Sequence, residues 1–171
     1  VSGEDAPASI AGFEDALLAL NNDHAQELSL LDRAGLDALL AEAFYARRIG
    51  GLDAALIAFD QTAAYQSPNY LWFRRCFDRY VYVDRVVVAP HARGRGVARA
   101  LYEDLFQAAL ADGHDVIVCE VNRIPPNPAS DAFHAALGFD EVGQAEIYGG
   151  AKTVRYLARR LQPDSSLWEE A

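Results

Sequence analysis

The sequence is poor in the residues that build stapled or metal-bound folds. Its two cysteines, Cys76 and Cys119, lie far apart and form no CxxC pair. That argues against a disulfide framework and a structural zinc site, and it fits a reducing compartment. The four histidines are scattered, with no HExxH or H-x-x-x-H spacing, so no metal is expected. No apolar run approaches the ~20 residues that a membrane-spanning helix needs, and no signal-peptide pattern opens the chain. The expectations are therefore no membrane partner and a cytoplasmic location. Positive charge is also scarce. The net charge of −10 disfavours nonspecific binding to nucleic acid or to an acidic membrane surface.

What is present is an ordinary globular composition, 51% apolar and 23% charged over 171 residues, enough for one domain with a real core. Residues 9–162 read as that domain, after a mobile end at 1–8 and before a tail at 163–171. Charge is unevenly spread. Residues 1–60 hold eleven acids and three arginines, a sum of −8, whereas residues 74–99 hold seven arginines and two aspartates, a sum of +5. A basic island in an acidic chain suits a compact polyanionic ligand, although a solvated arginine face has the same composition.

The periodicity gives a coarse map. A short strand is predicted at 9–13, a helical turn or two over Glu14–Leu20, and a breaker at Asn21-Asn22-Asp23. A second helix is capped by Asp32, with Leu36, Leu39 and Leu40 on one face. Residues 43–49 and 54–59 read as a hairpin, 61–69 as a loop, and the aromatic stretch from Tyr70 to Phe77 as a helix. Tyr80 to Ala89 is rich in β-branched and aromatic residues and stops at Pro90, the pattern of a central strand. A helix over Val97–Ala111 ends at Gly113. A strand at 116–121 follows, then a helix opened by Asn127-Pro128. Strands near 140–147 and 152–160 flank Gly149-Gly150 as a hairpin.

The loop between the central strand and its helix, Arg93-Gly94-Arg95-Gly96-Val97-Ala98, is built to hold an anion. The first turn of a helix offers N–H groups without intrahelical partners. Glycines allow close approach of the backbone, and arginines add charge-assisted hydrogen bonds. No GK[ST] follows, and Arg99 stands where a dinucleotide fingerprint needs its third glycine. The loop does resemble the Arg/Gln-x-x-Gly-x-Gly/Ala signature of the GNAT N-acetyltransferase superfamily, here Arg93-x-x-Gly96-x-Ala98. The run from Asn127 to Leu137-Gly138-Phe139 resembles that family's second element.

The resemblance implies an α/β fold with a mixed, mostly antiparallel central sheet, splayed between two central strands, with helices on both faces. It implies acetyl-CoA as co-substrate and an amine of a small molecule or peptide as acceptor. Pantetheine would lie along Val86, Val87 and Val88. The pyrophosphate would sit on Arg93, Gly94, Arg95, Gly96, Val97 and Ala98, with Arg99 beside it. Asn127, Ser130 and Phe133 would flank the CoA arm. The family often has a tyrosine five residues before the closing Phe139, where this chain has His134. His134 is then the candidate acid, with a helix-face residue as the alternative. Asp84 and Glu120 are the candidate bases, each with a structural role as the alternative, and Glu120 is slightly favoured as a polar residue inside an apolar strand. Cys119 reads as a buried filler rather than a nucleophile. Asn21, Asn22, Tyr65, Ser67, Asn69, Tyr70, Trp72, Asn122 and Tyr148 are candidates for the acceptor side. A noncatalytic CoA-binding sensor and a transferase of longer acyl chains stay open, as does a homodimer.

Overall fold

The computed structural model describes residues 5–24 and 28–162; residues 1–4 of the N-terminal end and the 163–171 tail lie outside it. In chain order the elements are β1 (Ala8–Ser9), α1 (Glu14–Asp23), α2 (Arg33–Glu42), β2 (Tyr45–Ile49), β3 (Ala54–Asp60), α3 (Pro68–Cys76), β4 (Val81–Val88), α4 (Val97–Ala111), β5 (Val116–Ile124), α5 (Pro128–Ala136), β6 (Asp140–Ile147) and β7 (Lys152–Arg160). One turn of 3-10 helix, Pro90–Ala92, links β4 to the loop before α4. The strands form a single sheet of order β1-β2-β3-β4-β5-β7-β6. Among the described residues, only β4 and β5 pair in parallel; the other five pairings are antiparallel. Leu101, Tyr102 and Leu105 of α4 and Leu137 after α5 pack on one face of the sheet. Leu17 of α1, Leu36 of α2 and Tyr70 and Phe73 of α3 pack on the other.

Two irregularities shape the middle of the sheet. The parallel pairing of β4 with β5 holds only at Val81–Ile117 and Tyr82–Val118, and beyond these pairs the strands part. The pairing of β3 with β4 shifts register where Asp84 is the extra residue, between the partners of Ile57 and Ala58. A bulge of this kind reverses the alternation of a strand. Before it, Val81 and Val83 face α4 while Tyr82 faces α3; after it, Val87 faces α3, and Val86 and Val88 pack toward α4.

The helix ends follow local chemistry. Asp32 Oδ1 accepts from Gly35 N at 2.7 Å to cap α2, and Asn127 Oδ1 accepts from Ser130 N at 3.2 Å to cap α5. Gly113, with φ of +79°, takes the left-handed conformation that stops α4.

The sequence expectation fails at three places in the first half of the chain. The first strand is Ala8–Ser9, not 9–13, and Ala8, assigned above to the mobile end, pairs with Arg48. Helix α1 runs through the expected breaker to Asp23. Tertiary bonds satisfy the two asparagines: Asn21 Nδ2 donates to Ser29 O at 2.9 Å and Asn22 Nδ2 to Leu31 O at 2.9 Å. Helix α3 begins at Pro68, so the loop expected to reach Asn69 ends earlier.

Gly143 on β6 marks a close contact. A Cβ there would stand 2.5 Å from Trp72 Cζ2, and the Trp72 ring is stacked on Tyr156 with centroids 4.1 Å apart. Gly143→Ala is expected to lower stability by about 1–3 kcal/mol through overpacking. Urea unfolding measures it, and an unchanged midpoint would mean that the indole can move aside.

Candidate active site

Where β4 and β5 part, three cavities share walls. The outer one, about 280 Å³, runs along Val86, Val87 and Val88 to Arg93, Asn127 and Ser130. The middle one, about 110 Å³, lies between the two strands and is lined by Val86, Asn127, Tyr102, His134, Cys119 and Glu120. The third, also about 110 Å³, opens on the α3 side and is lined by Glu120, Asn122, Tyr65, Asn69, Tyr148 and Lys152. Glu120 and Asn122 border both inner cavities. Because β5 has left β4 by this point, the backbone groups of β4 that face away from β3 have no strand partner.

The loop before α4 is a backbone cradle. Gly94 and Gly96 have φ of +76° and +77°, a region L-residues avoid. A Cβ on either would meet no atom within 4 Å, so the space over the loop is open. Among the described residues, no hydrogen bond is donated by the backbone N–H groups from Gly94 to Arg99. They point out at the positive end of the α4 dipole. The arginine side chains pair with groups of the protein. Arg95 pairs with Asp53 at 3.4 Å and Asp5 at 3.7 Å, and Arg99 with Glu103 at 3.7 Å. Arg93 donates to His24 Nε2 at 2.9 Å and alone of the three borders the outer cavity.

The two acidic candidates divide sharply. Asp84 has both oxygens occupied: Tyr65 donates to Oδ1, and Arg85 Nε donates to Oδ2 at 2.7 Å. Arg85 is fixed in turn by Asn21 Oδ1 at 2.8 Å. That network makes Asp84 an ion-paired brace for the bulge, the structural alternative weighed above. Glu120 accepts from Tyr82 Oη at 3.0 Å through Oε1, while its buried Oε2 makes no hydrogen bond of acceptable geometry. Removal from water, with the negative charge of Asp84 adding to it, pushes the Glu120 carboxyl up to about 8; polar contacts from Tyr82 and Asn69 act in the opposite direction. A carboxyl so poised can take a proton near neutral pH.

His134 is oriented differently from the sequence expectation. Its Nδ1 lies 2.8 Å from the Ser130 carbonyl, which only accepts, so Nδ1 carries the proton. Its Nε2 lies 2.8 Å from Tyr102 Oη and therefore accepts from that hydroxyl. Burial lowers the His134 pKa, which keeps the ring neutral. His134 thus offers no N–H to the cavity; the proton at the wall is on Tyr102. Burial raises Tyr102 well above its ordinary value, so the hydroxyl keeps its proton. Cys119 also borders the middle cavity, and burial pushes its thiol up, which disfavours the thiolate a nucleophile needs.

The remaining candidates separate by position. Asn127 and Ser130 line the outer cavity, while Phe133 packs edge-on against the Tyr102 ring, centroids 5.4 Å apart, and borders none of the three. Asn122 and Tyr148 line the third cavity with Tyr65, Ser67 and Asn69. Three acceptor candidates are corrected. Asn22 is bonded at both polar ends to the Leu31 main chain. Tyr70 is fully buried, its hydroxyl given to Asp60 O at 2.7 Å. Trp72 is occupied in the stack on Tyr156. Sequence reasoning missed Tyr82, Tyr102 and Lys152. Tyr102 falls in step with Ala98 and Phe106 and so reads as one more core position on its helix.

Known proteins share the family pattern and the fold. The pattern of the acetyltransferase (GNAT) family matches residues 55–139. A phosphinothricin N-acetyltransferase of Streptomyces coelicolor is 43% identical over 58 residues, which are 34% of this chain and 33% of that protein. The match thus spans about a third of the curated relative's length. Among solved structures, the ribosomal-protein-S18-alanine N-acetyltransferase of Escherichia coli superposes with a TM-score of 0.66 at 17% identity, covering 92% of this chain and 94% of that one. Ard1 of Thermoplasma volcanium gives 0.70 at 12% identity, over 92% and 97%. An acetyltransferase of Salmonella typhimurium, solved with its cofactor acetyl-CoA, gives 0.62 at 18% identity, over 89% and 90%.

Proposed function

The chain belongs to the GNAT acetyltransferase family, and on that premise we propose that it transfers an acetyl group from acetyl-CoA directly to a primary amine. One observation carries the reading. The parallel pair β4–β5 separates after two residues, and the gap joins an unpaired N–H cradle to a carboxyl with a pKa of about 8.

The residues fit acetyl-CoA. The open space over Gly94 and Gly96 and the unpaired N–H groups of Gly94 to Arg99 suit a pyrophosphate. The bare edge of β4 at Val86 to Val88 suits the amides of pantetheine, and Asn127 and Ser130 form the opposite wall. When bound, acetyl-CoA supplies the carbon that the amine nitrogen bonds, and its sulfur leaves with the electron pair of the broken C–S bond. Glu120 takes a proton from the incoming ammonium at Oε2, the oxygen without a partner. The backbone of β4 near Val88 offers N–H groups to a polarised carbonyl oxygen. Tyr102 Oη turns from His134 Nε2 to give a hydrogen bond to the departing sulfur, and His134 holds the hydroxyl at the wall until then. The amine's second proton balances the thiol. Cys119 takes no part, so transfer is direct.

Calorimetric titration tests the donor half. Acetyl-CoA is expected to bind in the micromolar range and free pantetheine much more weakly; equal binding of the two would remove the cradle from the account. Tyr102→Phe is expected to lower kcat about tenfold, the worth of one hydrogen bond to a charged atom. An unchanged kcat in steady-state thiol release would rule out the hydroxyl.

A further inference from the structure

The third cavity, on the side of the gap away from the cradle, is lined by four ionisable side chains: Asp84, Arg85, Glu120 and Lys152. Two of them neutralise each other. Asp84 and Arg85 are paired at 2.7 Å with side chains 4% and 7% exposed, and their remaining atoms are held by Tyr65 and Asn21. The other two are unspent. Glu120 Oε2 is buried without a hydrogen bond, and among the described residues the Lys152 ammonium has no ion pair or side-chain hydrogen bond. Lys152 is the chain's only lysine, beside fourteen arginines. It opens β7 and is registered against Ile147 of β6, so a paired strand carries it and not a free loop. The rest of the wall is uncharged, with Tyr65, Ser67, Asn69 and Asn122 offering hydroxyls and amides.

An unpartnered buried carboxyl and an unpaired cation in one small cavity are matched by a ligand that carries both charges. Resting on the acetyl-transfer reading above, we propose that the acceptor is a small zwitterion, a free amino acid whose amine meets Glu120 and whose carboxylate meets Lys152. The amino end of a peptide suits this cavity poorly. Its first carboxyl group is an amide, which offers Lys152 no charge, and the rest of its chain must leave through the Lys152 side.

Thiol release at saturating acetyl-CoA tests the proposal. The panel is free α- and ω-amino acids, each run beside its carboxamide and a dipeptide that begins with it. The expected result is that the best acceptor is a free amino acid, with kcat/KM roughly tenfold or more above its carboxamide. Lys152→Met is expected to shrink that ratio toward one, with acetyl-CoA titration confirming that the variant is folded. A carboxamide or dipeptide used as well as the free acid overturns the proposal, as does a ratio that survives Lys152→Met. Acetyl-CoA binding with no free amino acid accepted overturns the acceptor class and leaves the donor site standing. Absence of acetyl-CoA binding overturns the transfer reading itself.

Discussion

Glu120→Gln is expected to lower kcat/KM for acetyl transfer by roughly 10²-fold or more, the usual contribution of a positioned general base. The substitution keeps the size of the side chain and its acceptor for the Tyr82 hydroxyl, so the loss isolates proton transfer. The pH profile carries more information than the rate. With the carboxyl raised to about 8, the basic form accumulates as pH rises. In the parent, kcat/KM should climb about tenfold per unit below that value and level off above it. The glutamine variant should lack that limb and keep the one that belongs to the acceptor amine. Stability supplies an independent check. The native state holds a proton on Glu120 up to about 8, whereas the unfolded chain releases it near the ordinary 4.5. This contribution to stability is therefore full below 4.5 and lost as pH rises through 8. The variant should show a flatter dependence across that window. A profile shared by parent and variant would assign the limb to another group.

Gly96→Val is expected to weaken acetyl-CoA binding roughly 10²-fold, about the worth of two charge-assisted hydrogen bonds. Gly96 precedes α4 with φ of +77°, a conformation that is costly for a β-branched residue. Relief of that strain turns the N–H groups of the first helical turn away from the site. Gly12, with φ of +86° and open space around it, provides the control. Gly12→Val carries comparable strain outside the cradle loop and should cost stability without changing acetyl-CoA affinity. Equal losses of affinity in both variants would point to general destabilisation.

The donor half of the site was legible because it is local. A β-branched strand, two glycines, an apolar stripe and a capped helix follow one another between Val81 and Ala136, and each obeys a short-range rule. Glu120 stood out for the same reason, as a polar residue between Cys119 and Val121 on an apolar strand. The acceptor half depends on contacts that no window contains. The bulge at Asp84 reverses the alternation of β4 without leaving a mark in the pattern. Tyr102 meets His134 from another helix, at 2.8 Å, and that contact fixes which nitrogen is protonated. Asn21 and Asn22 read as helix breakers, yet their side chains find partners at Arg85, Ser29 and Leu31, and the helix continues. Tyr70 and Trp72 have the polar edges expected of a site, and packing of α3 against β3, β4 and β7 uses them instead. Local chemistry therefore fixed the cradle, while long-range packing decided which polar side chains remained free for a ligand.

The most direct test of acetyl transfer at the gap between β4 and β5 follows thiol release from acetyl-CoA together with the mass of the amine product. The account predicts thiol and acetylated amine in equal amounts, with both rates lowered together by Glu120→Gln near neutral pH. Tight acetyl-CoA binding with no amine acetylated across the panel would contradict it, and would identify the domain as a CoA-binding module without catalysis.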